Sequence, residues 1–201
     1  NFTDGSSVAD WAAGYIAPLA EMGIISGSGD GSVQPSVNID RASTMALLDK
    51  AITVYVNESG EYTVDNADGF VVVNTDGEVK ISGTTAGVVV TAGSETGTVS
   101  LSGVTADTVK VDGTAAVALE NGSKVETVTV NATSAVTVAA GVKVDTMAIN
   151  DDADVTNAGT ITKLEANTAA DVKNTGTITT LDANAAVRVD NSGTISKAVI
   201  E

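Results

Sequence analysis

The chain of 201 residues contains no cysteine, no histidine and only two prolines, and aromatic residues make up 3% of it. The lack of cysteine excludes disulfides and thiolate metal sites. The lack of histidine removes the commonest general base and the commonest ligand of transition metals. No apolar run approaches the roughly 20 residues of a membrane-spanning helix. We therefore expect no cofactor and no insertion into a membrane.

Basic residues are also scarce. Ten Lys and Arg stand against 26 Asp and Glu, which gives a formal net charge of −16. Nucleic acids and anionic lipid surfaces are recognised through basic patches, and this balance does not supply them. We therefore expect no nucleic-acid partner, and we interpret the acidity as a contribution to solubility.

The sequence changes character near residue 56. All six aromatic residues lie at or before Phe70, and both prolines lie before residue 36. Beyond that point Val, Ala, Ile, Thr, Asn, Asp and Gly dominate, which is the composition of short strands joined by tight turns. We predict a helix–loop–helix segment over residues 1–56 and a strand-rich domain over residues 57–201.

Two helices are predicted around a glycine-rich loop in the first segment. Apolar residues from Trp11 to Met22 follow helical spacing, with Pro18 expected to kink or shorten the helix and Gly23 to end it. Asp40 is predicted to cap the second helix at its N-terminus. The expected apolar stripe of that helix is Met45, Leu48 and Ile52.

An internal repeat is the strongest signal in residues 57–201. The columns that recur every 17 residues are Val155/Val172/Val189, Asn157/Asn174/Asn191, Gly159/Gly176/Gly193, Thr160/Thr177/Thr194 and Ile161/Ile178/Ile195. Upstream, residues 117–131 match residues 136–150 at an interval of 19. A coil of this length cannot bury its apolar face alone, whereas stacked coils bury a continuous core.

The repeat predicts a mainly β fold, a single-stranded parallel β-helix with 17–19 residues per coil. We expect a right-handed helix, because the strict six-residue rhythm of left-handed solenoids is missing. The Gly159/Gly176/Gly193 column is expected to supply a turn with positive φ. The Asn157/Asn174/Asn191 column predicts either an amide ladder or plain turn residues that tolerate the left-handed region.

Short motifs follow one another in a fixed order over residues 2–55. They are Phe2-Thr3-Asp4, Trp11-Ala12, Ile16, Leu19, Gly23-Ile24-Ile25, Gly27-Ser28-Gly29-Asp30-Gly31, Pro35, Ile39-Asp40-Arg41-Ala42-Ser43 and Leu47-Leu48. In this order they resemble the S-layer homology motif, a helix–loop–helix unit that anchors bacterial surface proteins to the cell wall. The family generally packs three copies together, and this sequence shows one.

The resemblance implies that Asp4, Trp11, Asp30, Gly31 and Arg41 contribute to binding a cell-wall secondary polysaccharide. The chemistry fits, because an indole offers a flat face to sugar C–H groups and a guanidinium matches a carboxylate or pyruvate. The alternative is that Trp11 packs between the two helices and Arg41 simply pairs with an acid.

Acidic residues in the repeat region suggest a second kind of site. Asp154, Asp171 and Arg188 share the 17-residue interval, so they are expected to stack on one face. With Asp152, the two aspartates are a candidate Ca²⁺ site; the alternatives are a salt-bridged edge and an acidic turn on a solvated face. A polysaccharide-cleaving site would need paired carboxylates and aromatic platforms, and no aromatic follows Phe70.

These observations favour a non-enzymatic, extracellular protein of the bacterial cell surface. In this interpretation a wall-anchor-like segment carries a solenoid that acts as a stalk or display scaffold. The alternatives are a carbohydrate-active β-helix enzyme and a self-assembling scaffold whose solenoids associate end to end.

Overall fold

The computed structural model of the chain describes residues 2–21, 24–91 and 97–200. Contacts within the chain divide it into two units, Asn1–Thr53 and Val54–Glu201. The predicted boundary after residue 56 lies at the end of the first strand, which spans Ile52–Val56.

The first unit is helical. A short 3-10 helix, Gly5–Ser7, precedes α1 (Asp10–Glu21) and α2 (Arg41–Ala51). The α1 helix continues through Pro18, and its predicted end at Met22 and Gly23 lies outside the described residues. The prediction that Asp40 caps α2 is confirmed, because its carboxylate accepts a hydrogen bond from the Ser43 N–H at 2.6 Å.

Ile52 does not belong to α2, so its predicted place in that helix is wrong. It caps the helix in an extended conformation and begins β1. The physical reason is the run Ile-Thr-Val-Tyr-Val, since β-branched and aromatic side chains favour a strand and lose rotamer freedom in a helix.

The second unit is a parallel β-solenoid of about eight turns, and strands make up 54% of the described residues. From β2 onward the paired strands of the described residues run parallel, as predicted. The strands are β1 (Ile52–Val56), β2 (Gly60–Val73), β3 (Val79–Val90), β4 (Thr98–Val111), β5 (Ala116–Glu120), β6 (Lys124–Val130), β7 (Ala135–Val138), β8 (Lys143–Ile149), β9 (Ala153–Asn157), β10 (Thr160–Ala166), β11 (Ala170–Asn174), β12 (Thr177–Ala183), β13 (Val187–Asn191) and β14 (Thr194–Ile200).

The register of these strands confirms the sequence columns. Val155 pairs with Val172 and Val172 with Val189, at the interval of 17. Val125 pairs with Val144 at the interval of 19. One coil is longer than predicted, because Val79 pairs with Val99. The predicted right-handed sense stays a prediction.

The early and late coils turn their corners differently. In the early coils single strands of 12 to 14 residues, β2, β3 and β4, run on through the corner. Further on, each coil has two shorter strands, and β4 pairs with both β5 and β6. Residues with a side chain rarely adopt a positive φ, and glycine takes this conformation at four positions, Gly83, Gly103, Gly122 and Gly141.

The prediction of positive φ at Gly159, Gly176 and Gly193 is wrong. These glycines serve a close approach between coils instead. A Cβ on Gly176 would lie well inside contact distance of the carbonyl oxygen of Gly159 in the preceding coil, and one on Gly193 would meet Gly176 in the same way. The column is glycine because the backbones of successive corners touch.

The column of Asn157, Asn174 and Asn191 forms a ladder of amide side chains, which decides between the two alternatives. The Nδ2 of Asn157 donates to the Oδ1 of Asn174 at 2.7 Å, and Asn174 donates to Asn191 at 2.7 Å. The first two side chains are fully buried. Buried amides need partners, and here each coil supplies the partner of the one before.

A second ladder, which the sequence columns did not predict, runs along the exposed surface. Asn184 donates to Asn167, Asn167 to Asn150, and Asn150 to Asn131, at 2.8 to 2.9 Å. Asn131 then donates to the carboxylate of Asp112 at 2.8 Å. The donors point towards earlier coils, opposite to the buried ladder, so the two ladders have opposed directions.

Candidate functional site

The loop between the two helices is held in a fixed shape by its own backbone. Gly27 and Gly31 have φ of 73° and 77°, and a Cβ on Gly27 would lie 2.8 Å from the carbonyl oxygen of Ser32. The N–H of Ser28 donates to the Ser32 carbonyl at 2.7 Å, and the N–H of Gly31 donates to the Ser28 carbonyl at 2.8 Å. Glycine is required here for conformation, so Gly31 acts by shaping the loop.

Asp4 ties the start of the chain to this loop. Its two carboxylate oxygens accept hydrogen bonds from the N–H groups of Val33 and Gln34, both at 2.8 Å. The N–H of Thr3 also donates to the Gly31 carbonyl at 2.9 Å. Because both oxygens of Asp4 are used in this way, the side chain positions the loop, and Gln34 keeps an unusual φ of 52°.

Asp30 makes a tight turn with Ser32. One carboxylate oxygen accepts from the Ser32 hydroxyl at 2.6 Å and from its N–H at 3.0 Å. The hydroxyl bond and then the N–H bond hold the pKa of Asp30 below its ordinary value, against a smaller opposing effect of burial. Ser32 is itself buried, and the sequence interpretation overlooked it although an Asp–x–Ser spacing indicates such a turn.

Trp11 and Arg41 behave differently from the other three residues. Trp11 lies in the first turn of α1 and is 77% exposed, so it does not pack between the helices. Arg41 begins α2 and is exposed, and no carboxylate of the described residues lies within ion-pair distance of it. Neither the packing of Trp11 between the helices nor an ion pair of Arg41 is therefore present among the described residues.

Two clefts in the described part of the helical unit include one of the five predicted residues between them. A cleft of about 860 Å³ lies beside α1 and includes Gly31 in its lining. Another of about 430 Å³ lies between the loop and α2, where Asp40, Ser43 and Lys50 line it. Asp4, Trp11, Asp30 and Arg41 line neither of these two clefts.

Exposed apolar side chains accompany Trp11 in the helical unit. Tyr15 follows it by one turn of α1 and is exposed like it, which gives two aromatic faces on one side of the helix. The other large exposed apolar residues among those described in this unit are Val37, Ile39, Met45 and Leu48. Aromatic faces of this kind can stack on the C–H groups of sugars.

The solenoid gathers Asp154, Asp171 and Arg188 as predicted. Asp171 is the register partner of both Asp154 and Arg188, and its carboxylate lies 3.7 Å from the Arg188 guanidinium. They line a groove of about 290 Å³ with Lys173 and Asp190. The salt-bridged edge is thus the alternative that the geometry favours.

The calcium candidate of Asp152, Asp154 and Asp171 is not supported. No group of three or more Asp, Glu, Cys or His among the described residues is arranged to hold a metal ion. Asp152 lies outside the strands, in the bend before β9, where its N–H donates to the Asp151 carboxylate at 2.8 Å.

The chain thus consists of a helical unit with two helices and a glycine-rich loop, followed by a parallel β-solenoid. Residues 1–44 match the S-layer homology domain, so the chain carries this domain ahead of its β-solenoid. Such a domain implies anchoring at the cell surface or cell wall, with the solenoid as a scaffold. No curated protein and no solved structure matches the chain. Among the described residues, no helix is long and apolar enough to cross a membrane.

Proposed function

We propose that the chain is an extracellular structural protein of a bacterial cell wall, in which the helical unit binds a secondary polysaccharide and the solenoid is a non-catalytic spacer or display scaffold. S-layer homology domains generally bind wall polymers of this class. The observation that carries the proposal is the exposure of Trp11 and Arg41 on a unit whose loop is rigidly held.

The five residues of the predicted site take two different roles in this proposal. Trp11 and Arg41 contact the polymer, the indole by stacking and the guanidinium by paired hydrogen bonds to an acidic group. Asp4, Asp30 and Gly31 are positioning residues, because their side chains or backbone hold the loop 27–34. A preformed loop binds more tightly because less conformational entropy is lost on binding.

Co-sedimentation with purified bacterial cell walls tests the proposal. The full chain is expected to pellet with walls that retain their secondary polymer and to stay in solution with walls stripped of it. Trp11→Ala and Arg41→Ala should each reduce the pelleted fraction at least tenfold. Arg188→Ala is the matched control, because Arg188 is the only other arginine and lies in the solenoid.

The outcomes separate the roles. Asp4→Ala should also weaken pelleting, but through a disturbed loop that circular dichroism or hydrogen exchange detects. Pelleting that does not depend on the polymer, or that survives both Trp11→Ala and Arg41→Ala, would contradict the proposal.

A second candidate function is a self-assembling scaffold. It is favoured by the way the coils associate within the chain, because parallel strand pairing and the asparagine ladder join each coil to the next through contacts that a second copy could also make. Sedimentation velocity over a hundredfold range of concentration tests it. A concentration-dependent increase in mass supports end-to-end association, and a constant monomer excludes it over that range.

A further inference from the structure

One side of the solenoid presents two columns of outward side chains, on the strands β3, β4, β5, β7, β9, β11 and β13. In β11, Asp171 and Lys173 are exposed on either side of the buried Val172, and the strands from β3 to β9 repeat this alternation. We call this surface the flank, and the two outward positions of one strand a row. The flank lies along the side of the coil stack, so its exposure follows from the alternation within each strand.

Three rows of the flank carry opposite charges. They are Glu78 with Lys80 at the start of β3, Asp171 with Lys173 in β11, and Arg188 with Asp190 in β13, and all six side chains are exposed. Lys80 and Arg188 each have an ion pair within the chain. Among the described residues, Glu78, Lys173 and Asp190 form no ion pair, so their charges are available to a partner outside the chain.

The rows between these charges carry short side chains. They are Thr98 with Ser100 in β4, Ala116 with Ala118 in β5, Ala135 with Thr137 in β7, and Asp154 with Thr156 in β9. Because no Lys, Arg or aromatic residue stands in these rows, a second sheet can approach the flank to about 10 Å, the distance at which sheets pack face to face.

A second copy of the chain matches this pattern. When two flanks face each other about a twofold axis parallel to the coil stack, each row meets the same row of the other copy in reverse. Asp171 of each copy then meets Lys173 of the other, and the charged rows of β3 and β13 pair in the same way. A twofold interface uses the same patch on both subunits, and complementary charges across it fix its register.

The opposite direction of the two coil stacks fits the charges less well. With antiparallel stacks, the row of β3 still meets the row of β13 with opposite charges. The row of β11 then meets the row of β4, so Asp171 and Lys173 lie opposite Thr98 and Ser100 and find no charged partner. The charges therefore favour two stacks that run in the same direction.

The size of the flank sets the strength of such a contact. Seven strands spaced by about 4.8 Å, with about five residues of about 3.3 Å each, give a surface of about 550 Å² per copy. Two copies would bury slightly less than the lower limit of about 1,200 Å² that is usual for stable complexes. We therefore expect a reversible dimer.

We propose that two copies of this chain associate side by side through the flank, with parallel coil stacks and with ion pairs in the rows of β3, β11 and β13. Each flank covers the other, so the assembly closes at two copies. End-to-end association differs in that its mass continues to grow. The inference goes beyond wall attachment and does not depend on it.

Sedimentation velocity of the full chain from micromolar to millimolar concentration tests the proposal, and a reversible equilibrium of monomer and dimer is expected. Lys173→Asp and Asp171→Lys should each weaken dimerisation at least tenfold, because each leaves like charges opposite one another in the row of β11. Lys124→Asp is the matched control. Lys124 is exposed on β6, outside the flank, and its substitution changes the net charge by the same amount as Lys173→Asp.

A mixture of the two β11 variants tests both the surface and the direction. One variant presents two acids in this row and the other presents two bases, so the rows are complementary only between unlike copies. With one variant labelled, fluorescence-detected sedimentation should show a heterodimer whose affinity lies within about threefold of that of the unchanged chain. This rescue requires that a row meets itself, as it does in parallel stacks, and it also shows that both variants are folded.

Three results would overturn the proposal. One is a chain that stays monomeric up to millimolar concentration. Another is association that Lys124→Asp weakens as much as Lys173→Asp, or that neither substitution changes. The third is a mixture of the Asp171→Lys and Lys173→Asp variants that forms no heterodimer.

Discussion

The helical unit and the solenoid of this protein are held together in different ways. In the solenoid, columns of Val, Ile and Leu are fully buried from coil to coil. In the helical unit, Ile24 is the one buried apolar side chain among the described residues, and α1 and α2 contribute none. The solenoid is thus ordered by a repeated apolar core, and the helical unit by hydrogen bonds around one loop.

This difference matches a division of labour. Stacked coils give a stability that is roughly a sum over repeats and neighbouring interfaces. A unit that keeps Trp11, Tyr15 and Met45 on its surface has little core of its own but has side chains ready to contact something else. In the proposed function, the helical unit recognises the partner and the solenoid supplies the rigid scaffold, so the two roles belong to different parts of the chain.

The largest effect is expected from shortening a core residue of the solenoid. Leu164 is fully buried and stacks between Met147 and Leu181, so Leu164→Ala should lower the free energy of unfolding by about 2–5 kcal/mol. Leu48→Ala in α2 removes the same atoms from a side chain that is 45% exposed and should cost about 1 kcal/mol or less. Urea unfolding followed by circular dichroism measures both, and equal losses would contradict the comparison.

The corner glycines sharpen the comparison within the solenoid. Gly176→Ala should lower the free energy of unfolding by about 1–3 kcal/mol or more, because the added Cβ would clash with the backbone of the preceding coil. A Cβ on Gly141 would meet no atom within 4 Å. Gly141→Ala should therefore lower the free energy of unfolding by only about 1 kcal/mol, because alanine is strained at a φ of 82°. Melting temperatures of the two variants decide the order, and a larger loss for Gly141→Ala would refute the account of the two corner types.

The two ladders offer a matched pair of substitutions. Asn174→Ala removes a buried amide and leaves Asn157 without its ladder acceptor, so we expect a loss of about 1–3 kcal/mol. Asn167→Ala interrupts the exposed ladder, where water can replace the lost bonds, and should cost about 0.5–1 kcal/mol. Chemical unfolding of both variants tests the ranking; similar values would mean that burial does not set the strength of the ladders.

The smallest expected effect is an acid sensitivity of the helical unit. Hydrogen bonds from Ser32 lower the pKa of Asp30, and the N–H of Ser43 lowers the pKa of Asp40. A lowered pKa in the folded state stabilises the fold above the unfolded value of about 3.9, and this contribution is lost as the pH falls through the folded value.

Helical ellipticity should therefore decrease below about pH 4 before the strand signal does. In the double variant Asp30→Asn with Asp40→Asn, the helical ellipticity should change less between neutral pH and pH values below about 4. Asparagine can still accept the hydrogen bond of a cap, but it does not titrate. An unchanged acid transition in the double variant would assign the sensitivity to other carboxylates.

Much of the solenoid could be predicted from its columns. Residues that stack across coils must have similar size and polarity. The spacing of Val155, Val172 and Val189 is therefore enough to predict which residues pair between neighbouring strands. The long strands β2 to β4 could not be predicted in this way, since coils of unequal length blur the period. The role of Gly176 could not be predicted either. A recurring glycine indicates a special backbone position, but it does not distinguish a positive φ from a close contact with another backbone.

The contacts of the candidate site residues could not be predicted from the sequence. The family resemblance implied Asp4, Asp30 and Gly31, but it did not reveal that Asp4 holds the loop through the N–H groups of Val33 and Gln34. Such contacts join residues about thirty positions apart and depend on tertiary structure. Trp11 follows the helical apolar spacing of a core residue, yet it is exposed, because one helical pair cannot enclose both faces of α1.

Hydrogen exchange of the full chain, measured with and without purified wall polymer, tests the central claim most directly. The account predicts that amides of residues 98–183 in the solenoid are already protected and do not change, whereas polymer slows exchange in residues 2–51. Polymer-dependent protection in the groove of β9, β11 and β13, with none in the helical unit, would contradict it and assign recognition to the solenoid.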